Sequence, residues 1–479
     1  MGKLYFQTKS TEKIGLYVEN NKVEAIQIDR PTLSMSVGSI YVGKVRNVDK
    51  KMEAAFVELE NGIVGFLPQK ECPFIMNTSI HTVLTNGMTI LVQVIKEAYQ
   101  DKGPRLSCNI TIGGDSIVYL PYGEYIAVSK KIKEQKEEYE QFFTQLLLEK
   151  EGVIVRTNSV NKSKATLHQE LGELRQTFQH LKQQSDSIKK PTLLYRKDII
   201  PTKMMNQYRS VPIEEIIFDQ YSTMKQMEKI YPEWKAIMQV REKLPLMEGK
   251  TIDQLLQASL EKTIQTTEGI TLTIDETEAL TVIDIDSSKF KSNQSKQLTL
   301  LQINIQAIQT ICREIQKRNI SGIIVIDFLK MKDEKERQIV VNQLQERCKR
   351  DPIRTEIFGF TKLGLLEMTR KREQISLLQL MSDSSLSNHI TLNVQSVAYR
   401  LEREILEYGD SKAEACCIRT SKQIAEFTSM LVKNKRIDLE VYVLIDSSKN
   451  TYITERVGTK EMVMEYIDTQ QHFVIDKLV

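Results

Sequence analysis

The chain has 479 residues, 41% of them hydrophobic and 27% charged, and a formal net charge of +3. That length exceeds one ordinary core and implies about three or four domains, while its apolar runs, such as GIIVIDF at 322–328, are strand-length and exclude a spanning helix of roughly 20 residues. A charge so near neutral does not by itself mark a nucleic-acid protein, so such a role has to rest on local patches: KKIKEQK at 130–136, or the stretch from Arg354 through TRKR at 369–372, for both of which solvated surface is the plainer reading.

The start, MGKLYFQTKSTEK, has no apolar signal core, and Phe6 breaks the myristoylation pattern, so a cytoplasmic chain with no membrane partner is expected. The first ~35 residues read as alternating strands (KLYFQTK, IGLYVEN, KVEAIQID) closed by Pro31. From Gly38 short strands follow at close spacing, SIYVGKVRNVD, EAAFVELENG, IVGFLPQ and TILVQVIKEA, which predicts a small β-barrel. Polar helices at about 130–150 and 163–190 flank the apolar strand GVIVRTNSV, and residues ~192–265 mix helix with short strands around the only tryptophan, Trp234. ITLTIDETEALTVIDIDSS then reads as two strands. SKQLTLLQINIQAIQTICREIQKR reads as a helix with Leu298, Leu301, Ile305, Ile308, Ile315 and either Ile311 or Cys312 on one stripe. GIIVIDF is a buried strand, and KMKDEKERQIVVNQLQERCKR a second amphipathic helix. A polar MSDSSLSN stretch marks a linker, and the tail reads helix, strand, helix, strand (VYVLID) and a last short helix or strand.

The cysteines stand at 72, 108, 312, 348, 416 and 417 with no CxxC pair, and the five histidines are scattered, so neither a thiolate zinc site nor a disulfide framework is expected. The thiols read as inert, with Cys416 and Cys417 as packing residues.

Two aspartates interrupt the apolar run TVIDIDSSKF. Alternation puts Asp284 and Asp286 on one face of a strand and Ile283 and Ile285 on the other. The helical crossover makes GIIVIDF parallel to it, so Asp327 reaches the same carboxyl end, where sites gather in open α/β sheets. Clustered carboxylates raise one another's pKa unless a cation neutralises them, and oxygen ligands with room for water suit Mg²⁺ or Mn²⁺. The plainer reading is that each Asp ends a strand or opens a turn. In the barrel, Phe56 and Phe66 with Lys44 and Arg46 nearby could stack bases and follow phosphates, or be core. Arg156 and Thr157, at the end of GVIVRT, could form a phosphate pocket or face water.

In chain order, GSIYVGKV…EAAFVEL…VGFLP, EGVIVRT, TIDETEALTVIDIDSSKF, SGIIVIDF and LGLLEMTRKR resemble the ribonuclease E/G family, on the ribonuclease G side because no long scaffold tail follows. The resemblance implies a multidomain α+β and α/β fold. It comprises an RNase H-like subdomain split into residues 1–36 and 206–262, an S1-like OB barrel (37–120), a 5′-sensor region (121–205), a DNase I-like catalytic subdomain (263–375) and a small C-terminal α/β domain (376–479). It further implies a Mg²⁺-dependent endoribonuclease that cuts single-stranded RNA in rRNA or mRNA processing to 5′-monophosphate and 3′-hydroxyl ends. Asp284 and Asp327 would be catalytic metal ligands, with Asp286 a third carboxylate on the ion. Phe56, Phe66 and Lys102 would bind RNA, and Arg156 and Thr157 would sense a 5′-monophosphate. The family usually has Asn where this chain has Asp286, and EQISLLQLMSDSSLSN replaces its CPxC zinc link; no zinc is expected, while a homodimer through the small domain stays open. An RNA-binding paralogue without cleavage and a phosphodiesterase on small substrates are the alternatives.

Overall fold

Strands from the two ends of a long insertion build one sheet. In the computed structural model Met238–Val240, Ile213–Phe218, Gly2–Gln7, Lys13–Glu19 and Lys22–Asp29 pair in that order, Gly2–Gln7 parallel to Ile213–Phe218 and antiparallel to Lys13–Glu19. The structure describes residues 2–32, 35–75, 78–98, 102–196, 199–287, 296–331, 333–383, 390–433, 435–470 and 473–478. They form two compact units, Met1–Pro31 with Ile199–Val479, and Thr32–Asp198. The alternation read in the first strands has no exposed side: successive residues of Gly2–Gln7 and Lys13–Glu19 are buried. Ile200, Met204 and Tyr208 pack on Leu4, Phe6 and Tyr17, and the two-sided cover explains the apolar content of these strands.

In the inserted unit Ile40–Asp49, Ala54–Glu58, Val64–Pro68, Arg105–Ser107 and Thr89–Lys96 pair in that order, and the last pairs back on the first, closing a five-stranded barrel. Closure leaves these five strands no free edge among themselves. The barrel is filled by Val45, Ala55, Val57, Leu67, Val92 and Leu106. A second core in this unit joins the Lys164–Ser187 helix, through Leu167, Leu171 and Phe178, to Gly152–Val155 and its neighbours.

The other unit carries a six-stranded sheet in the order Thr263–Gln265, Thr271–Glu276, Leu280–Asp286, Gly322–Asp327, Leu366–Arg370, Thr355–Phe360. The helices Lys296–Lys317 and Glu334–Cys348 cover one face, burying Ile303, Ile308, Ile311, Ile315, Val340 and Leu344 against Ile283, Ile285, Ile324 and Ile326. Of the expected helical stripe, Leu301 and Cys312 are half-buried and Leu298 lies outside the described side chains. Two strands were not expected, Thr355–Phe360 and Leu366–Arg370; within TRKR they bury Arg370, correcting the solvated-surface reading for that residue, while Lys371 and Arg372 are exposed as that reading has it. Arg370 is buried and pairs with Asp351 at 2.6 Å while its other arm donates to Ile320 O at 3.0 Å.

Beyond residue 390 the helices Val394–Asp410 and Lys422–Val432 and the sheet Tyr452–Gly458, Ala415–Thr420, Glu440–Ile445, Val474–Lys477 form a further core. The tail holds Tyr452–Gly458, a helix Lys460–Asp468 and a final strand where one short element was expected, and part of the MSDSSLSN stretch lies outside the described residues. Cys416 and Cys417 are buried in this core region, as packing residues. The region is tied to the first strands by a buried ion network. Arg30 donates to Glu12 at 2.5 Å, to Leu380 O at 2.9 Å and to Ser396 Oγ at 2.9 Å. Arg403 bridges Glu12 and Asp253. Removing one member would strand a buried charge, at a cost of about 3–5 kcal/mol.

Candidate active site

Leu280–Asp286 alternates buried and exposed residues throughout, so Ile283 and Ile285 enter the core and Val282, Asp284 and Asp286 emerge on the open face. Gly322–Asp327 runs parallel to it, and Asp284 stands in register with Asp327. Neighbouring strands lie about 4.8 Å apart, so two outward carboxylates share one patch at the carboxyl ends of both strands. Thr273 stands beside Asp284 on the other side, and Thr271 beside Asp286, one pleat further along. The structure brings Asp284 and Asp327 together as a pair and sets Asp286 beyond them. Among the described residues no three His, Cys, Asp or Glu side chains gather as a ready cage. A two-carboxylate set with open positions is the donor chemistry that suits Mg²⁺, which keeps water and takes substrate oxygens.

One buried side chain fixes the strand end that carries Asp327. Asn304, fully buried on the Lys296–Lys317 helix, receives Leu329 N–H on its Oδ1 at 3.0 Å and donates from Nδ2 to Leu329 O at 2.8 Å. This clamps the backbone two residues past Asp327. Near the helix end Glu314 lies buried against Lys317 and Arg318; burial works to raise its carboxyl, and the two cations outweigh it and hold it below the ordinary value.

On the barrel, one cross-strand row runs Asn47, Phe56, Phe66, Arg105, Lys96 through successive register pairs. Phe56 and Phe66 point outward and half-exposed, outside the barrel core, with ring centroids 5.9 Å apart in an edge-on contact. Lys102 is exposed three residues before Arg105, which opens the strand Arg105–Ser107, and Gly103 between them is required: a Cβ there would sit 1.8 Å from Val64 O. Asn47, Arg105 and Lys96 are the members that sequence reasoning missed. Lys44, which it named, is exposed in register with Glu58, and Arg46 pairs with Glu58 at 2.6 Å.

Arg156 follows Gly152–Val155 and donates from a guanidinium nitrogen to Gly114 O at 2.7 Å. The Gly114 turn is close-packed, since a Cβ on Gly114 would meet Glu170 Oε1 at 2.1 Å, and that carboxylate accepts Ser116 N–H at 2.8 Å. Thr157 is exposed at the start of the short turn Thr157–Asn161. The Arg156 side chain therefore has a structural anchor as well as a half-exposed position.

An outward aromatic and basic row on a closed barrel, in one chain with paired carboxylates at a sheet's carboxyl end, is equipment for phosphodiester chemistry on nucleic acid. Residues 34–109 match the S1 RNA binding domain and residues 111–373, more than half of the chain, match the Ribonuclease E/G family. The chain belongs to the ribonuclease E/G family and is by that membership an endoribonuclease of RNA processing, with RNA as its partner. It is 28% identical over 449 residues to ribonuclease G of Haemophilus influenzae, covering 88% of this chain and 90% of that one. With ribonuclease G of Escherichia coli K12 it shares 26% over 453 residues, 89% and 92% of the two chains. With ribonuclease E of Nostoc it shares 29% over 367 residues, 73% of this chain and 53% of the relative.

Proposed function

We propose that the protein is a divalent-metal-dependent endoribonuclease that cuts single-stranded RNA to 5′-monophosphate and 3′-hydroxyl ends in rRNA or mRNA processing and decay. The observation that carries this reading is the register pairing of Asp284 with Asp327 on an open sheet face. Asp284 and Asp327 would hold Mg²⁺, or Mn²⁺ in its place, which supplies Lewis-acid stabilisation of the phosphate charge and an activated water. Asp286 stands where it can accept a metal-bound water or steer the RNA backbone. Asn304 keeps Asp327 in place through the backbone of Leu329. Phe56 and Phe66 stack bases, and Lys102, Arg105 and Lys96 follow the phosphates. Arg156 and Thr157 receive a 5′-monophosphate. The reading carries no zinc requirement and a cytoplasmic location, and it leaves a homodimer through the small domain open; among the described residues no helix is long and apolar enough to cross a membrane.

The test is cleavage of a 5′-monophosphorylated, A/U-rich single strand with and without Mg²⁺, with Asp284→Asn and Asp327→Asn beside the parent. Loss of the preorganised electrostatic site is expected to lower cleavage by about two to three orders of magnitude in each variant while RNA binding persists. Binding without Mg²⁺-dependent cutting by the parent would instead support the RNA-binding alternative, and cutting that survives in both variants would remove the carboxylates from the site. Arg156→Ala is expected to abolish the preference for 5′-monophosphorylated over 5′-hydroxyl RNA and to spare basal cleavage. An equal loss on both RNAs would reduce Arg156 to its bond with Gly114 O.

A further inference from the structure

The six cysteines differ in what surrounds them. Cys416 and Cys417 are buried neighbours on one strand, and Cys72 and Cys108 are buried in the barrel unit. Cys312 and Cys348 are half-buried, on the two helices that back the carboxylate sheet, with their sulfurs 4.0 Å apart. These helices pack on one another through the core that holds Ile308, Ile311, Ile315, Val340 and Leu344.

We propose that Cys312 and Cys348 are a disulfide-forming pair, a covalent modification site that ties the Lys296–Lys317 helix to the Glu334–Cys348 helix. A disulfide has its sulfurs about 2.05 Å apart, so the pair has to close by about 2 Å, within reach of side-chain rotation and a small helix slide. Cys348 is the last residue of its helix, where the backbone yields more readily than in a helix interior. The hydrogen bond from the Cys312 thiol, with Arg370 and Arg347 nearby, holds the Cys348 thiol below its ordinary value, while the same contact raises that of Cys312. Cys348, at the end of its helix, is accordingly the attacking sulfur, and Cys312, inside its helix, the resolving one.

The oxidant is a low-molecular-weight disulfide. The Cys348 thiolate attacks one of its sulfurs, forming a mixed disulfide on Cys348 and releasing one small thiolate, which takes a proton. Cys312 then loses its proton and attacks the Cys348 sulfur, and the second small thiolate leaves. Two protein thiols are oxidised by two electrons, and one small disulfide is reduced to two thiols. The resulting bridge closes the segment from 312 to 348, which contains the Gly322–Asp327 strand and with it Asp327.

The full chain, folded and reduced, is treated with oxidised glutathione, alkylated in denaturant without reductant, digested and analysed by mass spectrometry. The expected product is a Cys312–Cys348 linked peptide with the other four cysteines alkylated, reversed by dithiothreitol. Cys312→Ser is expected to stop at a glutathione adduct on Cys348, and Cys348→Ser to leave Cys312 alkylated. Six alkylated cysteines in the parent, or a bridge through Cys72, Cys108, Cys416 or Cys417 instead, would overturn the proposal. The parent result needs no variant to fold. Circular dichroism before and after oxidation shows whether the bridge forms in the native state, and a linked peptide seen only after the far-ultraviolet signal is lost would also overturn it.

Discussion

On the barrel, strand alternation turns Phe56, Phe66 and Arg105 outward over a core of Val45, Ala55, Val57 and Leu67. In the six-stranded sheet the same alternation turns Asp284, Asp286 and Asp327 outward over Ile283, Ile285, Ile324 and Ile326. The barrel row crosses five strands, one residue from each, and its two rings support one another before any ligand arrives. The carboxylate patch needs only two neighbouring strands, with Asp284 in register with Asp327. One surface is complete as built, whereas under the proposed function a cation would complete the other. Affinity for RNA should reside in the first and the chemical step in the second.

Substitutions that separate affinity from chemistry would break or sharpen that contrast. The largest effect is expected from Phe56→Ala with Phe66→Ala. Base stacking contributes about 1–3 kcal/mol per ring, so RNA affinity by fluorescence anisotropy should fall by about a hundredfold or more, with kcat at saturating RNA unchanged. A fall in kcat of the same size would mean that the barrel row takes part in the chemical step. Next is Asn304→Ala, which leaves the Leu329 amide unpaired in a buried setting. A loss of about 1–3 kcal/mol in stability by denaturant titration is expected, with kcat down about tenfold and RNA affinity unchanged. Unchanged kcat in the folded variant would separate this clamp from the placing of Asp327. The smallest effect is expected from Arg105→Ala: several-fold weaker binding, and a slope of log affinity on log salt that is shallower by about 0.7. A slope equal to the parent's would assign Arg105 to its contact with Glu71, 3.8 Å away, and not to phosphate.

Much of the candidate site was legible because period-2 alternation is a local property. TVIDIDSSKF shows two acids on one face without any knowledge of the partner strand, and EAAFVEL shows Phe56 opposite Val57. Arg105 was missed because RLS is a three-residue strand whose register with Phe66 depends on barrel closure. Arg370 was misread for a related reason: its strand lies between Thr355–Phe360 and Gly322–Asp327, and the guanidinium is taken up by Asp351 and Ile320 O, contacts that no local pattern announces. Cys312 and Cys348, 36 residues apart, carry no CxxC spacing to announce that two packed helices bring their sulfurs together.

By itself the sequence determined most of the strands and helices, though not Thr355–Phe360 and Leu366–Arg370, as well as which side chains face outward on the carboxylate strand and which family the chain resembles, since these follow from propensity, short-range period and motif. Only the tertiary structure decided the register that sets Asp284 beside Asp327, the row from Asn47 to Lys96, the Asn304 clamp on Leu329 and the contact of Cys312 with Cys348. Each of these joins residues from separate elements, and such contacts are selected by the packing of whole faces and the closing of long loops, which no local window of sequence records.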